Sequence, residues 1–156
     1  RLFGLAWPVF GRAWQRLLED HYYWAGLVQM RWVEDHNWEI YKKELAAELE
    51  PSPEVEQFFQ EIRDYLVGEF RGHAVGKMSL DEVRSVACED LDALDDWLGD
   101  NAWFMGARPT SIDAVLYACL LQTYATPCTS PILAYARSKP RLLAYFERLR
   151  AQYWPS

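Results

Sequence analysis

Few residues in this sequence of 156 amino acids have chemistry to offer, and most are scattered. His21, His36 and His73 form no i, i+4 pair of the kind that ligates a metal, so structural roles and no metal site are expected. Arg31 is a planar cation able to grip a carboxylate. It shares its helical neighbourhood with Asp20, Glu34 and Asp35, so an ion pair on its own helix is expected ahead of anion binding. Cys88, Cys119 and Cys128 are odd in number, and no C-x-x-C occurs. They read as free thiols in a reducing, cytoplasmic setting. Cys119 falls in an apolar stretch and is expected to be inert. Cys128 follows Pro127 in a loop and is the candidate reactive thiol, although nothing nearby lowers its pKa. No Ser-His-Asp order and no phosphate-binding glycine loop stands out. Gly68, Gly72 and Gly76 are spaced for helix packing. No catalytic residue is assigned.

The sharpest local pattern is Thr110-Ser111-Ile112-Asp113. Thr110 suits a helix N-cap, and Asp113 three residues later can return a bond to the Thr110 N–H. This is a capping box with a short carboxylate in the usual Glu position. The helix dipole and orphan N–H groups hold such a charge, so Asp113 is expected to act in folding, at a cap strength of ~1–2 kcal/mol. The helix it opens, through Leu121, is apolar all round and is expected at the centre of a bundle.

Other elements must position these residues. From about Val9 to Asp35, Trp14, Leu17, Leu18, His21, Trp24, Ala25, Val28 and Trp32 keep helical spacing, with Asp20, Trp24, Leu27 and Arg31 as an adjacent stripe. A short helix over Glu39–Leu49 stops at Pro51 and Pro53. A third runs from Pro53 to about Phe70 with Val55, Phe58, Phe59, Ile62, Leu66 and Phe70 facing inward. Ser79 and Glu82 form a second capping box, opening a helix that ends at Gly99. The loop from Gly99 to Pro109 carries Trp103, Phe104 and Met105, so it must pack on something. Ser130-Pro131 and Pro140 open two last helices. No strand alternation appears. The reading is one all-α domain over residues 1–156, a helical bundle of about seven helices.

Composition narrows the function. The net charge is −7, and the main basic concentration, Arg137 to Arg150, is interrupted by Glu147. Nucleic acid and anionic membranes are poor partners for such a chain. The apolar run Leu2–Phe10 is short and interrupted by Pro8, so no membrane span is expected. An aromatic share of 15% suits a large core or a docking face. Asp81, Glu82, Glu89, Asp90, Asp92, Asp95, Asp96 and Asp100 read as mostly a solvated face.

The stretch LGDNAWFMGARPTSIDAVLYACLL, Leu98 to Leu121, resembles the C-terminal helical domain of glutathione transferases. There a loop of form F-x-x-G-x-x-P-T/S-x-x-D precedes the core helix, and Phe104, Gly106, Pro109, Thr110 and Asp113 match it. His21–Trp32, Asp90–Asp100 and the KPRLLAYFERLRAQYWP end resemble the failed-axon-connections and metaxin-like branch. The resemblance implies a glutathione-transferase C-terminal-like fold. It also implies a thioredoxin-like domain in cis, which nothing before Val9 could supply and which a longer parent chain would carry. That domain would hold glutathione as co-substrate, so no cofactor is expected in this chain, and the chain alone is not expected to be active. His21, Trp24, Leu27 and Arg31 would face the apolar substrate side of the interdomain cleft, offering a stacking surface, an anion partner and a titratable ring. Without the other half, the Trp24 and Leu27 face should expose an apolar patch. The alternative is a non-catalytic, metaxin-like interaction module. A homodimer is compatible with either.

Overall fold

The computed structural model describes residues 3–154, with side-chain detail from residue 9. Residues 1, 2, 155 and 156 lie outside it, and with them the start of the Leu2–Phe10 run. Seven α-helices follow in order: α1 (Phe3–Arg16), α2 (Asp35–Leu45), α3 (Pro53–Gly72), α4 (Leu80–Leu98), α5 (Ser111–Tyr124), α6 (Pro131–Arg137) and α7 (Pro140–Tyr153). Between α1 and α2 the chain continues as a π-helical segment, Leu17–Val33, and a 3₁₀ turn, Val75–Lys77, joins α3 to α4. No strand occurs among the described residues.

The centre of the bundle is the π segment. It touches α1, α2, α3, α4 and α5, and Ala25 through Arg31 are buried without a break. A helix ringed by neighbours has no solvent face, so the amphipathic spacing holds only up to Tyr22. Leu18, Tyr22, Leu27 and Val28 join Leu91 and Leu94 of α4, Leu116 and Leu120 of α5, and Leu142 and Tyr145 of α7 in one core. Burial of such side chains is worth about 1.5–3 kcal/mol each.

The α5 helix is less enclosed than its composition suggests. Ile112, Leu116, Tyr117, Cys119, Leu120 and Thr123 are buried, but Ala114, Ala118 and Leu121, with Ala125 just beyond the helix, are exposed. An all-apolar helix can bury one face in its own domain and keep another uncovered, and periodicity cannot separate the two. On α3, Phe59 and Phe70 are buried whereas Phe58 is 54% exposed. The row Phe59, Ile62, Leu66, Phe70 leaves no place for Phe58 on the same side. Gly68 and Gly72 meet open space, so they are not packing positions. Gly76 is: a Cβ there would sit 2.0 Å from the Phe70 carbonyl oxygen.

Charge also crosses between helices. The acidic run on α4 is only partly solvated, because the basic residues near the C-terminus complement it. Lys139 pairs with Asp92, to which Tyr135 also donates at 2.8 Å, and Arg141 binds the buried Asp95 at 2.7 Å. The Ser79–Glu82 capping box is present, with the Ser79 N–H donating to Glu82 at 2.8 Å.

The second box does more than cap. Asp113 is 4% exposed. Its Oδ2 accepts from the Thr110 N–H at 2.8 Å and the Thr110 hydroxyl at 2.9 Å. Its Oδ1 accepts from the Phe104 N–H at 2.7 Å and the Tyr145 hydroxyl at 2.6 Å. The Gly99–Pro109 loop is thereby tied down, with Phe104 and Met105 buried. Trp103 and Gly106 exchange backbone bonds of 3.1 and 2.9 Å, and Gly106 takes a φ of 110° that other residues rarely adopt. Asp113→Ala would strand the buried Phe104 N–H and the Tyr145 hydroxyl as well as the cap. We expect a loss of about 3 kcal/mol or more, above the cap value alone. Thr110→Ala should cost about 1 kcal/mol or less, since the backbone bond survives. Denaturant melts of the two variants check this ordering.

Candidate functional site

The π segment carries His21, Trp24, Leu27 and Arg31, but it does not present them together. His21 is half-exposed, and its Nδ1 lies 2.6 Å from Asp90 Oδ2 on α4. The remaining ring nitrogen is not engaged by any bond among the described residues. Trp24 is half-buried and stacks on His73, with ring centroids 4.1 Å apart. Leu27 is 2% exposed and belongs to the core. Arg31 sits at the far end, against α5. The i→i+5 ladder winds more widely than an α-helix, so residues that share an α-helical face drift apart along it. The expected apolar patch on Trp24 and Leu27 is therefore absent at Leu27, and open apolar side chains lie elsewhere, among them Phe58 and Tyr65 on α3 and Leu121 on α5.

Arg31 also departs from expectation, because it makes no ion pair among the described residues. Its three candidate partners are engaged elsewhere: Asp20 with Arg16 at 3.2 Å, Glu34 with Arg84 at 2.8 Å, and Asp35 with Arg63 at 2.6 Å. Arg31 instead donates through Nη1 and Nη2 to the side-chain and backbone oxygens of Gln122, and its guanidinium lies 5.1 Å from the Tyr41 ring centre. It lines a cavity of about 420 Å³ between the π segment, α2 and the end of α5. Sequence reasoning missed Gln122 and Tyr41 because 91 and 10 residues separate them from Arg31, and neither carries a motif.

Burial raises the pKa of Asp90, and the hydrogen bond from His21 opposes that rise. The two hydroxyls that tie the core stay protonated: burial pushes Tyr22 and Tyr145 up, and for Tyr145 the bond to Asp113 adds to the effect. Tyr22 bonds Thr123 at 2.8 Å, and Thr123 donates to the Cys119 carbonyl. None of the thiols is activated. Burial lifts Cys119 to about 11, and it also raises Cys88 and Cys128. Cys128, the candidate reactive thiol by its loop position, is 2% exposed, with its Sγ 3.7 Å from the Asn37 carbonyl. No group of three metal-binding side chains occurs among the described residues.

The described residues thus combine an exposed apolar row on α5 with a buried carboxylate knot at its start. Residues 87–149, which contain the Asp113 knot, match the model of the glutathione S-transferase C-terminal domain. Fold and match together define a glutathione-transferase C-terminal-like helical domain. The chain is 36% identical to isoprene-epoxide–glutathione S-transferase of Rhodococcus sp. (strain AD45), over 90% of this chain and 59% of that protein. It is 26% identical to Failed axon connections of Drosophila melanogaster, over 89% of this chain and 36% of that protein. The chain thus spans little more than half the length of one relative and about a third of the other. No solved structure matches it. No described helix is long and apolar enough to cross a membrane.

The Asp90 placement has a pH signature. Its folded pKa lies above the ordinary carboxylate value, so the folded state binds the proton more tightly. Wild type should therefore gain stability relative to Asp90→Asn as pH falls from neutral through the raised pKa to the ordinary value. Paired melts across that window check the sign; a gap that moves the other way overturns the assignment.

Proposed function

We propose that this chain is the helical half of a glutathione S-transferase-like protein and forms the apolar substrate side of an interdomain cleft. The observation that carries this reading is the uncovered stripe of Ala114, Ala118, Leu121 and Ala125 on an otherwise core-forming helix. Small residues let another backbone approach closely, and an apolar face left in water marks an interaction surface. The occupant proposed is a thioredoxin-like domain in cis, which would hold glutathione as co-substrate. The chain itself then supplies shape and polarity and no catalytic residue. His21 and Trp24 reach the surface and would meet substrate, Arg31 offers a cation at the end of the stripe, and Leu27 acts from the core by fixing the segment that carries them. The name of the Rhodococcus relative makes a small apolar epoxide the first electrophile to try. Three free cysteines suit a cytoplasmic setting.

A second reading, a non-catalytic metaxin-like interaction module, draws on the similarity to Failed axon connections and on the exposed Phe58 and Tyr65 of α3, 54% and 66% open. The same aromatics would serve a homodimer.

The test is the intact mass of the native species in its source cells, set beside retention on immobilised glutathione. The transferase reading expects a species larger than this chain, retained on glutathione, and Leu121→Glu in that species should weaken retention by disturbing the domain contact. A native species of this size that flows through would replace it with the interaction-module reading.

A further inference from the structure

Arg31 is a buried cation on the π segment that makes no ion pair among the described residues. It is 6% exposed. Burying a guanidinium without a counter-charge is costly, and the acids nearest in sequence are bound to other bases. The bonds to Gln122 supply neutral oxygens only, and Nε has no partner. The same cation helps to wall the cavity of about 420 Å³, together with Tyr41, Leu45, Leu121, Gln122, Ala125 and Thr126. A buried cation without an ion pair at an open cavity attracts an anion, and the only acid among the described residues that shares the cavity wall is the exposed Glu44.

We infer that this cavity binds a small organic monocarboxylate with an apolar body. The charge of Arg31 attracts a carboxylate, while its bonds to Gln122 and the Tyr41 ring 5.1 Å away fix the guanidinium at the cavity wall. Leu45, Leu121 and Ala125 provide apolar wall for the rest of the molecule. Glu44 also lines the cavity. Its negative charge opposes dianions and polyanions, which separates a monocarboxylate from a phosphate ester. Cavities of this size hold small ligands with a few polar groups fixing orientation. The cavity is lined by residues of this chain, and it shares Leu121 and Ala125 with the α5 face proposed to meet a thioredoxin-like domain.

Octanoate and its neutral isostere octanamide are suitable probes, with binding to the full chain followed by calorimetry. Octanoate should bind saturably, and octanamide at least roughly tenfold more weakly, since it cannot meet the charge. Arg31→Gln should abolish the difference between the two probes. Because Arg31 also bonds the Gln122 backbone, that variant loses a fold contact as well, and Leu45→Glu provides the second test. Leu45 is 38% exposed at the end of α2, so the change adds a negative charge to the cavity wall without entering the core. It should weaken octanoate roughly tenfold and spare octanamide. Absence of saturable octanoate binding, equal binding of the two probes, or an unchanged octanoate affinity in Leu45→Glu would each overturn the proposal.

Discussion

The structure depends on one buried carboxylate. Asp113 accepts four hydrogen bonds from three separate pieces of chain: its own helix cap at Thr110, the loop at Phe104 and α7 at Tyr145. A charge this deep is tolerable only when all its lone pairs are met and a helix N-terminus faces it. Meeting them forces the loop to fold back and brings the last helix to the start of α5. The Trp97 indole then reaches the Phe104 carbonyl at 2.9 Å, and Trp14 of α1 packs edge-on to the Phe104 ring. A local cap has become the point at which the two ends of the chain meet.

From that anchor the bundle closes around the π segment. Tyr22 and Thr123 join it to α5, His21 and Asp90 join it to α4, and Arg63 of α3 donates to the Trp32 carbonyl at 2.9 Å. Each tie is polar and specific in direction, whereas the surrounding leucines would accept many registers. Apolar contact supplies most of the stability, and these bonds select one arrangement of it. The acidic face of α4 follows the same logic, its aspartates being answered by Lys139 and Arg141 across the bundle.

The proposed functions rest on what the bundle leaves unfinished. The α5 stripe is apolar and open, and Arg31 is charged, buried and without a carboxylate. Neither feature helps this chain fold, since an open alanine and leucine row gains nothing in water and a lone buried cation costs free energy. These two features carry the proposals of a covering domain in one case and an anion in the other.

The sequence alone determined the helical class, the two capping boxes and the end points set by Pro53, Pro131 and Pro140, because these rest on neighbours within a turn or two. It also determined the relation to the transferase C-terminal domain, through Phe104, Gly106, Pro109, Thr110 and Asp113. Only the tertiary structure decided which apolar faces are covered. Leu27 and Leu121 are equally apolar on paper, yet one lies in the core and the other is open, because burial depends on what packs from far along the chain. The same holds for charge. Arg31 had acids within helical reach, but Arg16, Arg63 and Arg84 took them, and three-dimensional competition for partners leaves no trace in local spacing. The wide turn of the π segment made the difference larger still: it moved Trp24, Leu27 and Arg31 off the common stripe that α-helical spacing assigns them.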